Sequence, residues 1–337
     1  MRAYELRQFG IDELVMTDRR TPEPQRGEVL VRLKAASLNY RDVMVVTGTY
    51  NPRMKLPAVP FSDGAGEVAA VGEGVTRWQV GDRVSPIFAQ GWLDGETSLE
   101  KSRTALGAGA QWDGVLRELG TFSEHSLVRI PDHLSFEEAS TLPCAAVTAW
   151  NSLNVSGKLK AGETVLTLGS GGVSVFALQL AKLAGARVIA TTSSDSKAAK
   201  LKELGADDVI NYRSREDWDA AVFELTEKRG VDHVIEVGGA GTLPRSVNAV
   251  RLGGHVALIG ALSGPGKIDP VSVFMRSVRL QGIFVGSRKM FEDLNLALAV
   301  GKVRPVIDRV FDFEQAPEAL NYMQSGSHFG KIVVRIQ

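Results

Sequence analysis

A single cysteine, Cys144, stands in 337 residues. One cysteine forms no internal disulfide, so nothing calls for an oxidising compartment. Net charge is missing too: 39 Lys and Arg balance 39 Asp and Glu. A balanced chain has no field to gather a polyanion, which argues against a nucleic-acid partner. Long hydrophobic runs are also lacking. The most apolar stretches are broken by Lys182, Arg187 or Arg251 before they reach spanning length, so no membrane segment is expected. Residues 1–7 carry no apolar core of a secretory signal. These absences together predict a soluble cytoplasmic protein.

What is present is ordinary globular material. Hydrophobic residues at 44% and charged residues at 23% supply a sizeable core, and the length suits two domains. Glycine is plentiful, with 35 residues. Residues 1–145 read as strands and turns. The stretch 28–38 alternates, with Val29, Val31, Leu33 and Ala35 on one side and Arg32 and Lys34 on the other. Residues 65–71 and 82–84 are further short strands between glycine turns. The segment 88–120, rich in Gly, Ser and Thr and carrying Trp92 and Trp112, reads as a long loop over a site.

After Thr164 the rhythm changes. Strand-forming runs at 164–168, 188–191, 208–210, 231–237, 255–260 and 280–285 are joined largely by helical patterns. That alternation predicts βαβ units and a doubly wound parallel sheet in an α/β fold. Helical patterns follow at 289–300 and 313–325, and a strand at 331–336 closes the chain. The parallel unit, 146–286, is thus inserted in a mainly antiparallel domain made of 1–145 plus 287–337.

The first of these strands runs into Gly169-Ser170-Gly171-Gly172-Val173-Ser174. A pyrophosphate needs exposed backbone N–H groups with no side chain in the way. Gly169 permits the tight turn, Gly171 lets the backbone approach, and the helix beginning at Gly172 and Val173 presents its positive end. Ser174 replaces the last glycine of the usual fingerprint and is small enough for helix–sheet packing. The strand–turn–helix setting is what this dinucleotide motif requires.

The second strand ends at Thr192 and Ser193, where a free ribose ordinarily meets a carboxylate. Hydroxyls followed by the cation Lys197 suit a 2′-phosphate and favour NADP. Asp195 is the counter-argument: swung back to the ribose, it would favour NAD. Ligands of such sheets bind outside the carboxyl ends of the strands. This adds Gly238, Gly260, Phe284 and Val285, with Arg288 just beyond, to the candidate cofactor contacts.

The order of elements and the stretches Gly27–Val31, Leu38–Asp42, Gly64–Val68, Val80–Val84 and Gly169–Ser174 together resemble the medium-chain dehydrogenase/reductase superfamily over nearly the whole chain. The resemblance implies a Rossmann unit inserted in a GroES-like, β-rich catalytic domain. Its zinc branch holds a catalytic metal with a Cys, a His-Glu pair and a second Cys. Here those positions match Asn39, Ser62-Asp63 and Cys144, and residues 88–120 contain no cysteine for a structural zinc. Zinc takes about four N or S ligands, or three plus water, so no metal is expected.

The remaining matches resemble the zinc-independent quinone oxidoreductase and enoyl reductase branch. That branch carries an Asn at position 39 and a Gly-x-Tyr pattern, here Gly48-Thr49-Tyr50. Its NADP-using members match Lys197 and Tyr212, and Thr148 matches the position that packs against nicotinamide. The implied activity is NADPH-dependent hydride transfer to a small quinone or α,β-unsaturated carbonyl. Negative charge builds on the substrate oxygen in that reaction and needs a hydrogen-bond or proton donor. Tyr50 is either that donor or a wall of the pocket. Asn39 either holds the nicotinamide ribose or orients the carbonyl. The alternatives are an alcohol dehydrogenase or ketone reductase of the same superfamily, and a non-catalytic NADPH-binding protein. A homodimer paired through the edge strand 280–285 is the expected assembly.

Overall fold

A computed structural model describes residues 1–109, 111–260, 262–264 and 266–337, and the chain divides into two compact units. The first comprises Met1–Val147 and Val285–Gln337, the second Thr148–Phe284.

The first unit is built on a sheet in the order Ile307–Asp312, Lys331–Arg335, Glu28–Ser37, Asp63–Val71, Arg83–Pro86 and Leu127–Arg129, with Leu119–Ser123 also paired to Glu28–Ser37. Pairing is antiparallel except between Ile307–Asp312 and Lys331–Arg335. The alternation read in 28–38 appears directly: Val29, Val31, Leu33 and Ala35 are fully buried, and Arg32 points outward. Val29, Val31 and Leu33 join Val68, Val84, Phe122, Leu127, Ile332 and Val334 in one core. A separate hairpin pairs Arg2–Leu6 with Leu14–Asp18.

The second unit holds a six-stranded parallel sheet in the order Asp208–Asn211, Arg187–Thr192, Thr164–Thr167, Val231–Glu236, Val250–Leu258 and Arg279–Gly282. Its central strands, Thr164–Thr167 and Val231–Glu236, are buried along their whole length because both faces are covered. The helix Gly172–Leu183 packs on the first two strands of the fingerprint. Strand order reverses beside Thr164–Thr167, and that reversal opens a crevice at the carboxyl ends of the strands.

The structure corrects several boundaries. The strand expected at 255–260 begins at Val250, hidden in the sequence by Gly253 and Gly254. The edge strand expected at 280–285 is Arg279–Gly282. Within the predicted loop, a short helix forms at Leu99–Ser102. Among the described residues no helix is long and apolar enough to cross a membrane.

Candidate active site

In the glycine turn, Gly169 has φ +74°, a region that L side chains rarely adopt. Its N–H donates to Thr191 Oγ1 at 3.1 Å. A Cβ at Gly171 would meet nothing within 4 Å, so the backbone lies open there to a ligand. Gly171 caps the helix Gly172–Leu183, whose first-turn N–H groups, those of Gly172, Val173 and Ser174, have no intrahelical acceptors. Ser174 is buried and donates Oγ to the Leu168 carbonyl at 2.6 Å, which ties the helix start to the strand end. These residues fit a dinucleotide pyrophosphate.

At the tip of the next strand Thr192 is fully buried and Ser193 partly so. Ser194 caps the helix Asp195–Glu203, and its Oγ accepts the Lys197 N–H. Asp195 Oδ1 accepts from Asn211 Nδ2 at 2.8 Å. Tyr212, one residue on, is 39% exposed. The carboxylate that argued for NAD is therefore held by the neighbouring strand end.

Sequence reasoning missed Glu236. It is fully buried at the end of Val231–Glu236, and its Oε1 accepts from Gly238 N at 2.7 Å, Gly239 N at 2.9 Å and Thr242 Oγ at 2.6 Å. Its Oε2 accepts from Ser246 Oγ. A carboxylate thus fixes the turn that carries Gly238, and the Glu236 carbonyl accepts from Gly260 N at 3.2 Å. An acid directly before the Val237-Gly238-Gly239 turn was the available signal. Thr148 is buried, and its carbonyl accepts from Ser152 Oγ at 2.7 Å. It sits between two π-helical segments, Leu142–Ala146 and Asn151–Ser156, a rare form that often marks functional positions.

The first unit brings together the residues matched to zinc ligands, and adds one that sequence reasoning missed. Lys331 is 3% exposed, and its Nζ donates to the Leu38 carbonyl at 2.6 Å and to Asn39 Oδ1 at 2.7 Å. Asn39 caps the helix Tyr40–Val46, and its N–H donates to Asp42 Oδ2 at 2.7 Å. Asp63 accepts from Ser62 Oγ at 2.7 Å and from Cys144 N at 2.9 Å. Burial raises the carboxyl of Asp63 and pushes Asp42 up to about 6, while the cations Lys331 and Arg41 pull the other way. Burial, then Asp63, pushes the Cys144 thiol up, which opposes thiolate formation. Burial lowers Lys331, and Asp63 counters it first.

A divalent zinc does not fit these donors. Both Asp63 oxygens accept hydrogen bonds and the Asn39 oxygen faces an ammonium. Cys144 is the one soft donor among them, where zinc takes about four N or S donors, or three plus water.

Tyr50 is 38% exposed, and Arg41 Cζ lies 5.0 Å from its ring centroid and 4.9 Å from that of Phe88. Arg41 also donates Nη2 to the Leu106 carbonyl at 2.8 Å and faces Asp42 at 3.6 Å. The Tyr50 ring is therefore held on a cation while its edge meets solvent. Arg288, expected at a phosphate, donates Nη1 to the His125 carbonyl at 2.9 Å and pairs with Glu292 at 3.3 Å. Val285 takes a positive φ of 45°, a strained turn for a β-branched residue.

Residues 25–132 match the alcohol dehydrogenase GroES-like domain and residues 172–300 the zinc-binding dehydrogenase family. A zinc-type alcohol dehydrogenase-like protein of Schizosaccharomyces pombe is 43% identical, covering 97% of this chain and 96% of its own. An acryloyl-coenzyme A reductase of Metallosphaera sedula is 30% identical, with 93% of each chain covered. A quinone oxidoreductase of Lama guanicoe is 28% identical, covering 100% of this chain and 98% of its own. Among solved structures, a putative alcohol dehydrogenase of Sinorhizobium meliloti superposes with a TM-score of 0.92 at 40% identity, covering 99% of this chain and 98% of that one. A mycobacterial protein complexed with NADPH superposes at 0.83 with 28% identity over 100% of both chains.

Proposed function

The chain belongs to the medium-chain dehydrogenase/reductase superfamily, and we propose that within it this oxidoreductase is an NADPH-dependent, zinc-independent reductase of small quinones or α,β-unsaturated carbonyls. The observation that carries the reading is the Lys331 ammonium 2.7 Å from Asn39 Oδ1, a cation built into the donor set that a catalytic zinc would need. Without a Lewis acid, removing a hydroxyl proton from an alcohol is hard, whereas a polarised double bond needs only a donor for its oxygen. Relatives named as a quinone oxidoreductase and an acryloyl-coenzyme A reductase support the same chemistry.

When bound, NADPH supplies a hydride. Gly169, Gly171, Gly172, Val173 and Ser174 would hold its pyrophosphate. Thr192, Ser193, Lys197 and Tyr212 would hold its adenosine ribose and 2′-phosphate. Thr148, Gly238, Gly260, Phe284 and Val285 would line the nicotinamide side, with Arg288 near a phosphate. A solved relative complexed with NADPH supports this preference, as does the Asn211 contact that turns Asp195 aside.

On the substrate side Tyr50 donates its phenol hydrogen to the developing oxyanion, its ring held against the Arg41 guanidinium. Asn39 gives its Oδ1 to Lys331, while its buried Nδ2 has no hydrogen-bond partner and is the group that would hold the nicotinamide ribose or orient the carbonyl. A homodimer joined through Arg279–Gly282 is the matching assembly, because that strand ends the parallel sheet and leaves a pairing edge.

A second reading, oxidation of an alcohol, is favoured by the names of the alcohol dehydrogenase relatives. One experiment separates them: NADPH and NADH oxidation against quinones, enones and simple aldehydes, beside alcohol oxidation with and without added zinc. Turnover of quinones or enones with NADPH supports the proposal. Zinc-dependent alcohol oxidation as the main activity overturns it.

A further inference from the structure

One buried cation of the first unit takes no part in this chemistry. Arg117 precedes the strand Leu119–Ser123 and is 9% exposed. Its Nε has no hydrogen-bond partner, and its guanidinium forms no ion pair among the described residues. The acid that acts on it is Asp113. That carboxylate is already taken: Arg19 Nη1 donates to its Oδ2 at 2.5 Å and Val59 N to its Oδ1 at 2.9 Å. Burial lowers Arg117 to about 10, so it remains charged at neutral pH.

The sequence makes room for this group. A Cβ at Gly120 would fall 2.9 Å from Arg117 Nε and Nη2 and 3.0 Å from its Cζ. The guanidinium therefore lies on the bare backbone of Gly120, with Cζ 5.8 Å from the centroid of Phe122. Only glycine leaves that cradle free.

Arg117 also lines a cavity of about 530 Å³, together with Gln90, Leu106, Trp112, Phe122 and His125. That volume suits a small organic molecule. The acids on its wall do not neutralise Arg117. Asp113 is shared with Arg19. Glu28 accepts from Gln25 N at 2.9 Å, and it pairs with Ser123, three positions along the ladder from Gly120 and roughly 10 Å away. An unpaired buried cation is costly unless something completes it.

We propose that this cavity is a binding site for a small organic anion whose carboxylate or phosphate oxygens accept from the Arg117 fork while its apolar body lies against Phe122 and Leu106. Planar guanidinium groups pair such oxygens bidentately, which a point-charge lysine does not. The cavity residues belong to the first unit and the glycine turn to the second, and the proposal does not rest on the reductase reading.

Calorimetric titration of the full chain at constant ionic strength tests it, using benzoate, inorganic phosphate and neutral benzamide as probes. Titrations run with and without saturating NADPH, so that binding at the glycine turn is told apart. Benzoate or phosphate is expected to bind once per chain, and benzamide at least tenfold more weakly than benzoate. Benzoate binding without phosphate binding points to carboxylates, and the reverse to phosphate esters. Arg117→Met should weaken the bound anion at least tenfold, and Gly120→Ala, which keeps the charge but fills the cradle, should weaken it too. No binding of either anion to the native chain, or equal binding by Arg117→Met, overturns the proposal. Should Arg117→Met fail to fold, a crystal of the native chain soaked in benzoate and phosphate decides: an anion on the fork supports the site, and a vacant fork overturns it.

Discussion

Lys331 Nζ donates to Asn39 Oδ1 at 2.7 Å from a position 3% exposed. Lys331 comes from the last strand and Asn39 from the first helix cap, so residues 292 apart in sequence share one buried proton donor. The ammonium offsets the buried Asp63 carboxylate, and the Arg41 guanidinium is the main cation facing Asp42.

Lys331→Met should accordingly cost stability. Removing one partner of a buried charged cluster typically costs about 3–5 kcal/mol, because the partners left behind remain desolvated. Urea unfolding measures this. Adding Asp63→Asn to Lys331→Met should recover part of the loss, since the pair is coupled. Strictly additive losses would show that Lys331 acts through packing alone.

The same arrangement bears on metal content. Protein purified without chelator should carry less than stoichiometric zinc, and reductase turnover should survive prolonged treatment with EDTA. Elemental analysis beside activity checks both. One zinc per chain whose removal abolishes turnover would overturn the assignment.

Much of this was legible in the sequence, and the reason differs from element to element. The parallel sheet was legible because buried strands read as apolar runs between helices, and the fingerprint because Gly169 needs a conformation that other residues resist. Ile307–Asp312 was not, since the adjacent Asp308 and Arg309 interrupt the alternation and its partner is the distant Lys331–Arg335. The hairpin Arg2–Leu6 with Leu14–Asp18 was missed because the intervening turn is long and partly helical. In the candidate site, Asn39, Asp63 and Cys144 were found through family positions. Lys331 and Glu236 were not: a charge at the end of a strand reads as an exposed residue until the fold places its partners around it.

In the proposed reading, cofactor choice turns on Lys197. Lys197→Ala should weaken NADPH much more than NADH, since only NADPH offers a 2′-phosphate to the ammonium. A charge-assisted contact is worth about 1.5–3 kcal/mol, roughly tenfold to over a hundredfold in affinity. Fluorescence titration with both cofactors measures it. Equal losses, or a native preference for NADH, would return Asp195 to the ribose and sink the NADP assignment.

His255 makes a prediction about pH. It is buried, with Nε2 3.1 Å from Ser156 Oγ and Nδ1 3.4 Å from His233 Nδ1, and His233 Nε2 meets Glu163 at 2.9 Å. Burial, then His233 and Arg279, pushes its pKa down to about 4. The unfolded chain takes up this proton below about pH 6.5 while the folded chain refuses it until about pH 4. Its contribution is therefore present above pH 6.5 and lost as pH falls towards 4, at most about 3 kcal/mol. Urea unfolding from pH 4.5 to 7.5 should give a steeper acid loss for the native chain than for His255→Gln. Parallel curves would show that His255 titrates alike in both states.

Tyr50 carries the last prediction, on the proposed proton donor. Its ring lies on the Arg41 guanidinium, 5.0 Å from Cζ, so Tyr50→Phe keeps the stacked ring and removes only the hydroxyl. If that hydroxyl meets the developing enolate, the contact is stronger in the transition state than in the ground state, and the loss should fall on kcat rather than KM. General acid catalysis is worth on the order of 10²–10⁴ in rate. An enone should show the larger loss, because its enolate must be protonated at carbon or oxygen before release. A quinone should show less, because its oxyanion can leave the pocket and take a proton from water. NADPH affinity should not change, since the glycine turn that would hold the cofactor belongs to the other unit. Stopped-flow NADPH oxidation with one enone and one quinone gives both numbers. Unchanged enone turnover would make Tyr50 a wall of the pocket and leave water as the proton source. An equal fall for both substrates, with KM raised, would mean that the hydroxyl binds the carbonyl in the ground state and does not act on the reacting oxygen.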